Sequence, residues 1–155
     1  MDYTNGTYKI IYIKVATVWI PIGCLTSNSF SESVSMLDTT TRDNSDGWTS
    51  SIPTSQQYNI SFDGLLIVGD RGGTVITYDE IKVYKRARTQ IEWKIESAQG
   101  GNIEEGFGYF TSISDSAGID EFETFTAEIV GYNNPTTTIG NGYVLPDYVT
   151  SGYVD

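Results

Sequence analysis

Catalysis needs particular side chains at particular separations, and carboxylates are the first candidates here. Glu104–Glu105 and Glu121–Glu123 form two close acidic pairs. Paired carboxylates can divide general-acid and general-base work in glycoside hydrolysis. Both pairs lie at the ends of strand-like segments, where acidic residues ordinarily meet solvent. The chain has no histidine, which removes the commonest general base and the commonest metal ligand. Cys24 is the one cysteine and sits in an apolar run, so it reads as a packed thiol; no disulfide within the chain is possible. A serine nucleophile would need a neighbouring base, and no motif marks one. "GGNIEEGFG" (100–108) has glycines at the wrong spacing for a dinucleotide or phosphate loop. "RDNSDG" (42–47) fails as a calcium loop, because Arg42 would be the first ligand and Pro53 would stand where a bidentate Glu belongs. These residues point to neither an enzyme nor a cofactor or metal site.

The elements around those residues are mostly strands. The 155 residues suffice for one domain, and Tyr, Thr, Ser, Ile, Val and Gly predominate. Residues 7–20 read as one strand, ended or placed at an edge by Pro21. Residues 26–36 alternate Phe30, Glu32, Val34 and Met36 against a flat polar row of Ser29, Ser31, Ser33 and Ser35. A long polar loop follows over about 38–55 and contains Trp48. Loops of that length without structure of their own are usually functional or disordered. "QYNISFDG" (57–64) is a clean alternating strand, extending toward Val68, and 69–73 is a turn. Residues 77–88 are the one helix. Thr77 and Glu80 fit a capping box, and Lys85, Arg86 and Arg88 complement the negative end of the helix dipole. A strand over 88–98 turns Ile91, Trp93 and Ile95 inward, and two more strands cover 104–114 and 120–132. The expected fold is mainly β, an antiparallel β-sandwich or barrel with one flanking α-helix and a long loop between the second and third strands.

Net charge is −11, and every Lys and Arg lies at or before Lys94. Such a chain would repel nucleic acid rather than grip it. The N-terminus lacks the basic flank and apolar core of a signal peptide. "VATVWIPIGCL" (15–25) is far short of the ~20 residues of a membrane helix. The Tyr and Trp content, with Asn- and Asp-rich loops, allows an alternative: a carbohydrate-binding β-sandwich module. It would need coplanar exposed aromatics, whereas Trp19 and Trp93 sit in patterns that look inward.

One string goes further. In 18–54, Pro21, Gly23, Thr26 and Ser27 precede the Ser-rich strand. Asp38, Thr40, Thr41, Arg42 and Asp43 follow, then Gly47–Trp48 and Pro53. Ile60, Ser61 and Gly64 come next. Near the C-terminus stand a Gly-aromatic hairpin and Thr124, Phe125, Ala127, Ile129 and Gly131. The segment from about Asn5 to Gly131 resembles the major tail tube proteins of long-tailed bacteriophages. Two extra residues stand before Gly47, and the chain past Tyr132 is longer than that pattern.

The resemblance implies a structural virion protein, located in the tail and assembled in the host cytoplasm. It implies residues 1–132 as a tail tube domain and 133–155 as a C-terminal extension or arm. Copies would form homohexameric rings stacked into a tube, with tape measure, tail terminator and baseplate or distal tail proteins as partners and no membrane. The loop, with Asp38, Thr39, Thr40, Thr41, Arg42, Asp43, Asp46, Gly47 and Trp48, would contact the neighbouring ring. Ser29, Ser31, Ser33 and Ser35 become candidate lumen-lining residues. Double-stranded DNA would pass without specific binding. Six copies giving four strands each make a barrel of ~24 strands. At ~4.8 Å spacing and ~40° tilt, its backbone is about 48 Å across. Side chains leave ~38 Å, wide enough for a duplex of about 20 Å.

Overall fold

The computed structural model describes residues 9–41, 47–66, 74–97 and 101–139. They form seven strands and one helix: β1 (Lys9–Val15), β2 (Val18–Pro21), β3 (Leu25–Asp38), β4 (Ser51–Leu65), α1 (Tyr78–Ala87), β5 (Ile91–Ser97), β6 (Ile103–Ser116) and β7 (Thr124–Thr138). All strands join one antiparallel sheet in the order β2-β1-β5-β6-β7-β4-β3. The sheet is rolled, so β3 at one edge returns beside β1 and β5. The Asn28 amide donates to the Lys9 carbonyl at 3.4 Å, and the Phe30 and Trp93 rings lie 5.8 Å apart. The fold is therefore an open barrel with a flanking helix, the barrel form of the expected architecture.

Side chains alternate across each strand, so one face of every strand fills the interior. β5 alternates without exception: Ile91, Trp93, Ile95 and Ser97 are buried, and Glu92, Lys94 and Glu96 point outward. Ile11, Ile13, Ile60, Phe62, Ala127 and Ile129 join them in the core. Tyr58 binds the interior together. Its hydroxyl donates to the Phe107 carbonyl at 2.6 Å and accepts from Trp93 Nε1 at 3.2 Å. Its ring lies against the backbone at Gly131, where an added Cβ would sit 2.1 Å from the ring. Only glycine leaves room for that approach.

The helix forms as its sequence dictates. The backbone N–H of Thr77 donates to Glu80 Oε2 at 3.1 Å, and the helix ends at Arg88 in the left-handed region. Tyr78 and Ile81 are buried, and Tyr84 stacks on Phe110 at 6.3 Å. The Tyr78 hydroxyl donates to Asp115 at 3.4 Å, so the N-terminus of the helix faces the β6–β7 turn.

Besides Cys24, which is exposed rather than packed, and the length of β7, three features differ from the sequence reading. The strand expected over 7–20 is a hairpin, with Ala16 at φ 57 in a two-residue turn. Glycine or asparagine usually supplies that conformation, and neither marks the turn. The loop expected over 38–55 is shorter, because β4 begins at Ser51 and pairs it with Asp38. Pro53 is tolerated there because it lies at a bulge, on a stretch that pairs on one side only. Third, Trp19 pairs with Lys14 on the outward face of the sheet, opposite Trp93. Lys94 sits 4.9 Å from both the Trp19 and Tyr12 rings and pairs with Glu96 at 3.0 Å. Trp93 has no solvent exposure, which removes it from any carbohydrate platform. β7 also continues past residue 132, pairing Thr136–Thr138 with Ile103–Glu105.

Candidate functional site

Two surfaces stand out, and the first is the β3–β4 hairpin. β7 pairs with β4 only over Asn59–Leu65, so beyond that point β3 and β4 form a two-stranded ribbon. Both faces of its outer half are exposed, including Val34, Met36, Leu37 and Ile52. Isolated two-stranded ribbons are marginal in water. Polar contacts hold this one together near its tip. Thr39 N donates to the Ser50 carbonyl at 2.8 Å, Ser50 N donates to Thr40 Oγ1 at 3.0 Å, and the Thr39 and Ser50 hydroxyls are 3.0 Å apart. Thr40 N donates to Asp38 Oδ1 at 2.8 Å. Hydrogen bonds from Thr40, chiefly through its side chain, hold the Asp38 carboxyl below its ordinary pKa. Thr41 is exposed beyond this clasp. Gly47 has φ 71, which suits glycine, and Trp48 after it is 78% exposed. Arg42, Asp43 and Asp46 lie outside the described residues.

The second surface is the outward face of β3-β4-β7-β6. Ser29, Ser31 and Ser33 are exposed and paired in register with Ser61, Asn59 and Gln57. Ser35 falls in the bulge between Val34 and Met36 and leaves that row; its carbonyl accepts from Thr54 Oγ1 at 3.0 Å. The row continues across β7 and β6, where Thr124, Thr126 and Glu128 face Ser116, Ser114 and Ser112. Hydrogen bonds cross the strands. Asp63 accepts from Thr126 at 2.6 Å and from Ser27 at 2.8 Å, and these bonds, Thr126 first, lower its pKa. The Ser31 hydroxyl donates to Asn59 Oδ1, and Asn59 Nδ2 donates to Glu128 at 3.0 Å. The face carries the carboxylates Asp63 and Glu128, and no Lys or Arg among the described residues of these strands. The alternations Ser112-x-Ser114-x-Ser116 and Thr124-x-Thr126 were present in the sequence, but only pairing joins them to the β3 serines.

Glu104 sits apart from both, at a cavity of about 760 Å³ also lined by Lys9, Leu25, Phe30 and Ile95. Burial raises its pKa; Lys9 opposes the shift and Glu32 adds to it.

Sequence and structure comparisons show the family to which a chain with this fold belongs. The family model for phage tail tube protein matches residues 3–135. No curated protein matches the chain. Among solved structures, a chain from the virion of the native gene transfer agent (GTA) particle is 16% identical, with a TM-score of 0.71, covering 88% of this chain and 99% of that one. A chain from the tail of the empty GTA particle, computed with helical refinement and C6 symmetry, is also 16% identical, with a TM-score of 0.72 and the same coverage. The SPP1 tail tube protein is 14% identical, with a TM-score of 0.69, covering 97% of this chain and 89% of that one. At such identities the structural matches establish the fold. Together with the family match over 3–135, they make this chain a member of the phage tail tube protein family, a structural protein of the virion tail.

Proposed function

We propose that six copies close into a ring, that rings stack through the β3–β4 hairpin, and that double-stranded DNA passes through the tube into the host. The observation that carries this reading is the β3-β4-β7-β6 face: four strands wide, lined by hydroxyls and amides from Ser29–Ser33 across to Ser112–Ser116, acidic and without a cation among its described residues. Four strands per copy is the number that gives a ~24-stranded lumen wide enough for a duplex. A wall of small polar side chains with scattered carboxylates lowers adhesion, because no ammonium or guanidinium is there to displace counterions from phosphate. The six-fold symmetry of the GTA tail supports six copies per ring here. Open edges at β2 and β3 and the solvent-exposed ribbon give each copy unsatisfied surface that ring closure and stacking would cover. Tape measure, terminator and distal tail proteins would meet the same surfaces at the ends of the tube.

Negative-stain microscopy of concentrated purified protein, with mass measurement, tests this. Six-fold rings or tubes are the expected result. A monomer at every concentration, or an assembly of another symmetry, would overturn it.

A further inference from the structure

β4 and β7 diverge where their shared ladder ends, at Asn59 and Val130. Beyond that point β4 continues with β3 alone and β7 with β6 alone. The fork between them is a cleft of about 490 Å³, lined by the side chains of Gln56, Gln57, Asn133 and Asn134, with Glu32 beside them and Tyr58 at the apex. Packing fixes that apex. The Tyr58 ring lies against Gly131, and its hydroxyl reaches the Phe107 carbonyl. A bulge shapes the β7 side: Asn133, Asn134 and Pro135 stand opposite Gly106 alone, with Asn133 at φ 59. Bulges terminate pairing, so the ladder with β4 has no continuation there. None of the four amides makes a side-chain hydrogen bond to another described residue. The fork therefore offers N–H donors from both of its walls.

The other end of the same strands carries the complementary groups. In the β6–β7 turn, residues 117–123, Ile119 is 95% exposed and Phe122 83% exposed. Asp120, Glu121 and Glu123 stand among them, and no cation lies within ion-pair distance of these carboxylates among the described residues. The turn is ordered by its backbone: Glu121 N donates to the Gly118 carbonyl at 3.4 Å, and the Glu123 carbonyl accepts from Leu66 N at 2.9 Å. Carboxylates only accept hydrogen bonds, and bonds from amide N–H groups to them are charge-assisted. Exposed apolar side chains also flank the fork. Val34 lies in the row of Glu32 and pairs with Gln56, and Tyr132 precedes the bulge. Fork and turn thus match in two respects, donor to acceptor and apolar to apolar. Glu32 is the one like charge lining the cleft. They lie at opposite ends of the Thr124–Val130 ladder, about 20 Å apart along the strand, and the fork opens away from the turn. A molecule cannot fill its own fork, whereas a copy displaced along the strands can.

We infer that the 117–123 turn of one copy seats in the β4–β7 fork of a copy in the next ring. Ile119 and Phe122 pack on Val34 and Tyr132, and the carboxylates accept hydrogen bonds from the fork amides. The contact uses different surfaces on the two copies, so it repeats along an axis without closing on itself. A turn of this size is far short of the roughly 20–30 residues a side of a stable binary interface. It holds where a ring offers several such contacts at once, which makes stacking cooperative. The contact rests on the tube reading and names one of its interfaces.

Charge placed in the fork tests it. Q57E/N134E is expected to raise the protein concentration needed for tube assembly by about tenfold or more. Q57K/N134K, which changes the same two side chains, should not raise it, and E32Q should lower it. A second measurement does not depend on charge: V34C and F122C, each in a C24S background, are mixed under mild oxidation. A disulfide between the two variants is expected, in excess of either variant alone. Equal losses from Q57E/N134E and Q57K/N134K would refute the hydrogen bonds to the turn carboxylates and with them the contact. If wild type forms tubes, the substitutions change nothing and no cross-link forms, the contact is wrong and the tube reading stands. A wild-type chain that remains monomeric throughout overturns both.

Discussion

Tyr58 and Gly131 form a close pair, because the ring occupies the space a side chain would take. Gly131→Ala should destabilise the fold by about 1–3 kcal/mol through overpacking, read as a fall in the urea midpoint. An unchanged midpoint would mean that the ring has room to move. Tyr58→Phe keeps the shape but leaves the buried Trp93 N–H without its acceptor, a loss of about 1–3 kcal/mol in the same assay. Glu104 works in the opposite direction. Its raised pKa means that the folded chain holds the proton more tightly than the unfolded chain does. That contribution is present below the unfolded pKa and lost as pH rises through the folded value. Glu104→Gln should therefore raise stability at neutral pH and flatten the pH dependence just above the ordinary carboxyl range. An unchanged unfolding midpoint across pH 4–7, roughly the window concerned, would count against burial as the cause.

Among the elements, the β3–β4 hairpin is exposed on both faces over its outer half. Trp48 makes its contribution at the tip, so Trp48→Ala should leave a folded monomer with stability changed by less than about 0.5 kcal/mol. Stacking should be lost, and tubes of normal length from this variant would remove Trp48 from the contact. The existence of a long polar protrusion was legible from residues 38–50, which hold no large apolar side chain before Trp48. Its strands were not. Ser51–Gln57 has neither an alternating apolar row nor a buried face, and Pro53 argues against a strand. Cross-strand pairing with β3 settles it. The helix was legible almost residue by residue, because its cap, charges and apolar stripe are local signals within ten residues.

For the whole molecule, the proposed lumen depends on charge sign more than on any one contact. Ser29→Lys with Ser33→Lys should leave assembly intact, since both side chains are exposed. Genome passage should slow, and the effect should be larger at low salt, where phosphate attraction is least screened. Ejection kinetics equal to wild type at all salt concentrations would remove the wall from any electrostatic role.

Local chemistry alone determined several things about this protein: a mainly β chain, one capped helix, an acidic surface, and a polar loop closing on Gly47–Trp48 that resembles a tail tube motif. Those features are written in neighbouring residues, through periodicity, capping and turn chemistry. What only the tertiary structure decided involves residues far apart in the chain. It joined Ser29 to Ser61, Thr126 and Ser114 as one polar face, turned Trp19 outward, and set the Ile119–Phe122 turn beside the acidic end of the helix. Strand order and barrel curvature create those neighbourhoods, and no window of sequence contains them.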